Sequence, residues 1–132
     1  MANEAVCIET PTEFARYTIA DATAVPIGTI MKLNDPHTVT VSAADNDPFA
    51  GIAWEEKTAS DGLTEITVAK NGVWDMKDSG AGITAGAIVN VGGANLIIAS
   101  AAADLLTGSV VGKAEETAAA SEVIRVRVGR VV

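Results

Sequence analysis

The chain has 132 residues, of which 48% are hydrophobic and only 4% aromatic, and its formal net charge is −8. This length suits one domain, and the composition requires a core of Val, Ile, Leu and Ala. The acidic balance argues against nucleic acid and an anionic membrane surface as partners, because both bind clustered Lys and Arg.

A single cysteine, Cys7, and a single histidine, His37, limit the chemistry that the chain offers. One cysteine excludes an intramolecular disulfide, and a zinc site needs several Cys or His ligands. No apolar run is long enough for a transmembrane helix, and residues 1–4 lack the basic start of a signal peptide. We therefore expect no metal, no cofactor and no membrane partner, and synthesis in a cytoplasm.

Residues 1–25 differ from the rest because they mix polar and apolar residues without a long period, and Pro11 interrupts them. Short strands are predicted at 6–8 and 14–19. We interpret the segment as an extended N-terminal arm that contacts a neighbouring subunit, with an ordinary edge strand as the alternative. The main domain is then residues 26–132, and it should fold without residues 2–16.

From Pro26 onward, apolar and β-branched segments are separated by turn sequences. Asn71-Gly72 is a strong signal for a hairpin, and Gly92-Gly93 predicts a second one. An Ala-rich stretch at 99–106 is the one helix candidate, with a loop or a single turn as the alternative. Strands are predicted at 29–33, 38–41, 49–56, 63–70, 73–76, 88–91, 96–99, 110–114 and 123–128.

The last predicted strand shows the alternation of a sheet with one buried face, because Ile124, Val126 and Val128 alternate with Arg125 and Arg127. With many short strands spaced by turns, the chain is predicted to be all-β, a compact β-barrel or sandwich.

Two parts of the chain are weakly similar, which indicates an internal repeat. Gly28 matches Gly86, and both glycines precede an apolar strand. Gly51 matches Gly112 at a slightly larger offset, so a short insertion is needed. Sequences rich in Ala, Gly and Val can produce such a match by chance. A true repeat would give a pseudo-symmetric barrel of two similar β-units, each covering the apolar face of the other.

Two glycine-containing segments have the wrong context for phosphate binding. Residues 108–114 resemble a P-loop, but the spacing is one residue short, and Ala114 stands where a Ser or Thr must bind magnesium. Residues 80–86 are Gly-rich without a dinucleotide-binding context, so a loop is favoured. We therefore expect no binding or hydrolysis of ATP.

The acidic residues and the Cys7–His37 pair do not form a convincing catalytic set. Residues 45–47 open like a calcium loop, but no Gly or bidentate Glu follows at the required positions. Adjacent glutamates, at 55–56 and 115–116, point to opposite faces of a strand. Nothing in the sequence orients Cys7 toward His37. The chain is therefore expected not to be an enzyme, with no catalytic residue.

Several features in order resemble the capsid-cement family of tailed phages, which are small head-decoration proteins often labelled recombinase-like. The match runs from Gly28 to Arg130, about four-fifths of the chain, and rests on order and spacing rather than on one motif. It comprises Gly28-Thr29-Ile30, Gly51-Ile52-Ala53, Asn71-Gly72-Val73, Ala85-Gly86-Ala87-Ile88-Val89, residues 108–114 and the final Ser121-Glu122 turn with its Val/Arg strand.

The resemblance implies a compact β-barrel-like domain that forms homotrimers on the outer surface of a virus capsid, with the major capsid protein as partner. An N-terminal arm commonly reaches neighbouring subunits in this family. The alternatives are another phage structural protein, of the tail or baseplate, and a carbohydrate-binding module in which Trp54 and Trp74 stack on a sugar. Candidate partner-binding residues are Val6, Ile8, Phe14, Arg16, Tyr17, Trp54 and Trp74.

Overall fold

A computed structural model describes residues 2–129 and confirms the predicted all-β fold. Within this range there are eleven strands and one short 3-10 turn, Ala102–Asp104, where the sequence offered a helix or a single turn. The strands are β1 Val6–Glu9, β2 Phe14–Thr18, β3 Ile30–Asn34, β4 Thr38–Val41, β5 Phe49–Ala53, β6 Glu65–Ala69, β7 Gly72–Asp78, β8 Ile88–Val91, β9 Leu96–Ala99, β10 Val110–Ala114 and β11 Val123–Val128.

The strands form two closed five-stranded barrels that follow one another along the chain. The first barrel has the order β2-β4-β3-β5-β6, with β6 pairing back to β2. The second has the order β7-β11-β10-β8-β9, and β9 closes it by pairing parallel to β7. β1 lies outside this ring and pairs antiparallel with β7. Closure pairs most strands on both sides, which limits exposed sheet edges.

The predicted repeat is confirmed, because the two barrels have the same strand order and the same strand directions. Written in the direction of the first barrel, the order of the second is β7-β9-β8-β10-β11. Met31 pairs with Val41 in the first barrel, and Val89 pairs with Ala99 at the equivalent place in the second. The offset between β5 and β10 is slightly larger than the offset between these hairpins. The additional residues of the second repeat therefore lie between β9 and β10.

The glycines that carry the repeat match occupy equivalent close contacts. A Cβ on Gly51 would lie 2.8 Å from the carbonyl oxygen of Ala69, and a Cβ on Gly112 would overlap the carbonyl oxygen of Arg127. Ala69 and Arg127 are separated by the same offset as Gly28 and Gly86, so they are themselves counterparts. Neighbouring backbone thus requires glycine at the same place in both barrels.

Each repeat unit closes on itself, which differs from the predicted single barrel of two half-units. The hairpin predicted at Asn71-Gly72 is also wrong, because β6 and β7 belong to different barrels. β6 pairs with β2 over five residue pairs, and β7 pairs with β11 over six. The turn signal is local, and these longer antiparallel pairings override it. Residues 70–72 therefore link the barrels, whereas the hairpin predicted at Gly92-Gly93 is confirmed between β8 and β9.

The residues that we expected to form an arm, 1–25, are largely integrated into the fold. β2 is a barrel strand, and Ile19 and Val25 are buried in the first barrel. Ala5 is buried, and its N–H donates to the carbonyl oxygen of Gly28 at 2.8 Å. β2 was not recognisable as a barrel strand because its inward residues, Ala15 and Tyr17, are not strongly apolar. The edge-strand alternative describes β1, and no division is seen at residue 26.

Two hydrophobic clusters form the interior. One cluster, which we call the second cluster, fills the second barrel. It continues onto the outer side of the first barrel, where it includes Ile30, Ile52 and Ala69. Ile124, Val126 and Val128 belong to it, as the alternation in the last strand predicted. The first cluster fills the first barrel and consists of Ile19, Val25, Met31, Val39, Ala50, Ala53, Ile66 and Val68.

Buried hydrogen bonds join the two barrels. Asn95, in the β8–β9 turn, accepts a bond from Ile30 N at 2.8 Å through its Oδ1. Ser42 Oγ, after β4, donates to the carbonyl oxygen of Gly93 at 2.9 Å. Asn95 and Ser42 are both almost completely buried. The barrels thus share polar contacts as well as the second cluster.

Candidate interaction surfaces

The N-terminal strands expose apolar side chains on their outer faces. Val6 is 59% exposed and Ile8 is 39% exposed, while Cys7, between them, packs against the second cluster. Phe14, at the start of β2, is 44% exposed. Exposed apolar residues such as these are suited to contacts with another protein.

Three of the four aromatic candidates form a row that runs from the surface into the core. Phe14 and Trp54 have ring centroids 5.4 Å apart, and Trp54 and Trp74 meet edge to face at 6.0 Å. Trp74 is fully buried, and its Nε1 donates to the carbonyl oxygen of Asn71 at 3.1 Å. Trp74 is therefore inaccessible to a partner or a sugar in this fold, and it anchors the core. Trp54 is half-buried between the other two rings.

Arg16 and Tyr17 extend from β2 toward opposite sides of the sheet. Arg16 pairs with Glu55 at 3.0 Å and donates to Thr67 Oγ1 at 2.8 Å. Tyr17 lies with its ring 4.6 Å from that of His37. Arg16 is half-exposed and remains able to contact a partner, whereas Tyr17 packs partly against the first cluster.

An open cavity of about 480 Å³ lies beside the β3–β4 turn. Its lining is partly apolar, and Leu33, which contributes to it, is 40% exposed. The lining residues are Tyr17, Leu33, Asn34, Asp35, His37 and Pro48, and we call this space the hairpin cavity. A smaller polar cavity of about 200 Å³ lies where β1, the 70–72 link and β11 meet, and Arg127 and Glu9 contribute to its lining.

Cys7 lies on β1 and His37 in the β3–β4 turn, and the two residues have different partners. Burial raises the pKa of the Cys7 thiol, which donates a long hydrogen bond to the carbonyl oxygen of Glu9 at 3.5 Å. His37 Nε2 lies 3.0 Å from the carbonyl oxygen of Arg16. A thiol with a raised pKa is a weak nucleophile near neutral pH, so these groups offer no nucleophile–base pair.

The adjacent glutamates hold backbone and arginine groups in place. Glu55 accepts hydrogen bonds from Arg16 and from Thr67 N, and Glu56 accepts one from Ile27 N at 3.0 Å. In the second barrel, Glu116 accepts from Arg125 N, the counterpart of Thr67 N, and Glu115 pairs with Arg127 at 3.0 Å. β5 and β10 end before these pairs, so the predicted placement on opposite faces of a strand is wrong, and the capping roles were not anticipated.

Asp47 and Lys57 are buried charges that the sequence did not reveal. Lys57 Nζ donates to Asp61 at 2.9 Å and to the carbonyl oxygen of Asp21 at 2.8 Å. Asp47 accepts hydrogen bonds from Ala43 N and Ala44 N, both at 2.8 Å. The only available signal was their position in turns next to predicted strands, which does not distinguish a buried charge from a solvated one.

Comparisons with known proteins add no assignment, because no protein-family model matches the chain and no curated protein matches its sequence. Among residues 2–129, no group of three or more His, Cys, Asp or Glu side chains is placed to hold a metal ion. No helix in that same range is long and apolar enough to cross a bilayer.

Proposed function

We propose that the protein is a structural component of a virion that binds the outer surface of a capsid and cements the shell. The observation that carries the proposal is the ordered resemblance to the capsid-cement family over residues 28–130. It includes Gly28, Gly51 and Gly112, whose positions in the two barrels leave no room for a larger side chain.

The shape of the chain supports a structural role. Two closed barrels give a small body with paired strands, and closed β-structure resists local opening because most backbone groups are already bonded. The excess of acidic side chains keeps such a body dispersed until it meets its partner.

Of the candidate residues, those most accessible to a major capsid protein are on the N-terminal strands. Val6, Ile8 and Phe14 are exposed and apolar, and Arg16 adds a half-exposed cation. Trp54 contributes through its contact with Phe14, and Trp74 supports that row from inside. We propose that a homotrimer presents three copies of this surface to the shell, so that avidity raises the total affinity.

The test is co-sedimentation of the purified protein with empty shells assembled from the major capsid protein of the same virus. We expect saturable binding to a fixed number of sites on the shell, and loss of binding in the double variant Val6→Asp, Ile8→Asp. Val123→Asp is a matched control, because Val123 is an equally exposed apolar residue on β11. Absence of saturable binding by the unmodified protein would overturn the proposal.

A further inference from the structure

Within the chain, a loop of the first barrel covers a turn of the second. The loop between β4 and β5, residues 42–48, lies over the β8–β9 turn. Asn46 N donates to the carbonyl oxygen of Val91 at 2.9 Å, and Asn90 Nδ2 donates to Asn46 Oδ1 at 3.1 Å. Ser42 also bonds to Gly93. As a result, Val91 is completely buried.

The equivalent turn of the first barrel has no such cover. Leu33, at the end of β3, is the counterpart of Val91 in the repeat, yet it is 40% exposed. Leu33 lines the hairpin cavity, and so do His37, the counterpart of Asn95, and Asp35, the counterpart of Gly93. The place that is filled on the second barrel is therefore an open cavity on the first.

The tip of the equivalent loop of the second barrel is exposed and does not pack on a neighbouring turn. This loop, residues 100–109, connects β9 to β10 and contains the additional residues of the second repeat; we call it the Leu106 loop. Leu106 is 97% exposed, the highest value among the large apolar side chains of residues 2–129, and its neighbour Leu105 is 42% exposed. Full exposure of a leucine at a loop tip loses the free energy that its burial would contribute.

From these two unmatched surfaces we infer that the Leu106 loop of one copy of the chain occupies the hairpin cavity of a second copy. The contact repeats, between two molecules, the loop-on-turn contact that the first barrel makes with the second inside one molecule. Leu106 replaces solvent beside Leu33, and a cavity of about 480 Å³ has room for a leucine side chain. This interface rests on the proposed self-association but does not require a capsid.

Local hydrogen bonds form a turn within the loop. Asp104 N donates to the carbonyl oxygen of Ala101, and Thr107 Oγ1 donates to the carbonyl oxygen of Asp104 at 2.8 Å. Gly108 accepts a bond from Phe49 N at 2.9 Å, which fixes the end of the loop next to Pro48 at the cavity rim. The loop and the cavity thus lie near each other with Leu106 directed outward, which favours exchange between neighbouring molecules.

Disulfide trapping between two variants tests the contact in purified protein without shells. Both variants carry Cys7→Ala; one also carries Leu106→Cys, and the other carries Leu33→Cys. We expect a cross-linked species in the mixture, above the level that each variant gives alone. Val123→Cys mixed with Leu33→Cys is the control for random collision, because Val123 is also exposed. A mixture no more cross-linked than this control overturns the inference.

Light scattering with a second pair of variants provides an independent test. Leu106→Asp should reduce the assembled protein to monomer with an unchanged thermal transition, whereas Leu63→Asp, at another exposed leucine, should leave the assembly intact. An unmodified protein that is monomeric at its highest attainable concentration overturns the inference, as does an assembled Leu106→Asp variant. Assembly as a dimer supports the interface while contradicting the proposed trimer.

Discussion

At the residue scale, Asp47 shows how a buried charge is stabilised by its local contacts. Burial alone would raise the pKa of this carboxyl. The N–H groups of Ala43 and Ala44, together with Lys32 at 3.5 Å, outweigh that effect and hold the pKa below its ordinary value. These bonds also shape the β4–β5 loop, so the charge on Asp47 supports the contact between the barrels.

This lowered pKa predicts a specific dependence of stability on pH. Because the folded pKa lies below the unfolded value of about 3.9, the contribution of Asp47 is fully present above that value and is lost as pH falls through the folded pKa. We expect the free energy of unfolding to decline below about pH 4. Urea denaturation at several pH values should show a shallower decline for Asp47→Asn; an identical decline would contradict this assignment.

Glycine at position 112 is required by the carbonyl oxygen of Arg127 rather than by its own backbone conformation. Gly112→Ala should lower the free energy of unfolding by about 3 kcal/mol, because backbone must move to admit the methyl group. Gly86→Ala is the control, since a Cβ there meets no atom within 4 Å and only its φ of 89° opposes alanine. That strain costs about 1 kcal/mol. Chemical denaturation measures both, and equal losses would refute the steric explanation.

At the scale of elements, strands were easier to predict from the sequence than the pairing between them. The predicted segments from 29 onward each overlap an observed strand, because apolar periodicity reports burial of one face directly. Pairing depends on the whole barrel, so the Asn71-Gly72 turn indicated a false hairpin. The sequence of β2 favours an arm because it has no long apolar period; the structure shows why, since Phe14 faces outward and Ala15 inward, which reverses the usual apolar pattern.

The integration of the N-terminal strands predicts different outcomes for two truncations. Removing residues 2–9 deletes β1, and we expect a folded protein with a lower thermal midpoint, because Ala5 and the β1–β7 pairing are lost. Removing residues 2–16 also deletes most of β2 and opens the first barrel, so we expect loss of the cooperative transition. Calorimetry on both proteins distinguishes these states. A cooperative transition in the longer truncation would instead support residues 2–16 as a dispensable arm.

At the scale of the whole molecule, Asn95 is the polar residue that most directly couples the barrels. Its Oδ1 is the partner of the buried Ile30 N–H, and its φ of 58° lies in the left-handed region, which asparagine tolerates better than most residues. No sequence pattern signalled this role, because Asn95 stands in an ordinary turn sequence. The role of Asn95 depends on its hydrogen bond to Ile30 in the other barrel and not on the residues next to it in the sequence.

Two substitutions at Asn95 separate these effects. Asn95→Ala should lower the free energy of unfolding by about 3 kcal/mol, because it leaves a buried N–H unpaired and places alanine at positive φ. Asn95→Gly relieves the backbone strain and should lose about 2 kcal/mol. Urea denaturation measures both values. A loss below about 0.5 kcal/mol in the alanine variant would show that the bond does not couple the barrels.

The repeat itself was visible in the sequence through the matched glycines, but its form was not. Gly51 and Gly112 each lie where the backbone of the next strand in the barrel comes too close for a side chain. Matching these two glycines therefore gave the correct alignment of the two units. Whether each unit closes alone depends on the pairings of β6 with β2 and of β11 with β7, which no local pattern shows. Of the candidate residues taken from the sequence, Val6, Ile8 and Phe14 are exposed, whereas Trp74 is buried by packing that no local pattern shows.

The proposal that the protein cements a shell is tested most directly by the heat stability of empty shells with and without bound protein. Empty shells of the major capsid protein of the same virus are saturated with the purified protein. Their disruption is then followed by light scattering during heating. We predict a higher disruption temperature for decorated shells, and no increase with the Val6→Asp, Ile8→Asp variant. Shells that bind the protein yet disrupt at the same temperature would contradict a cementing role.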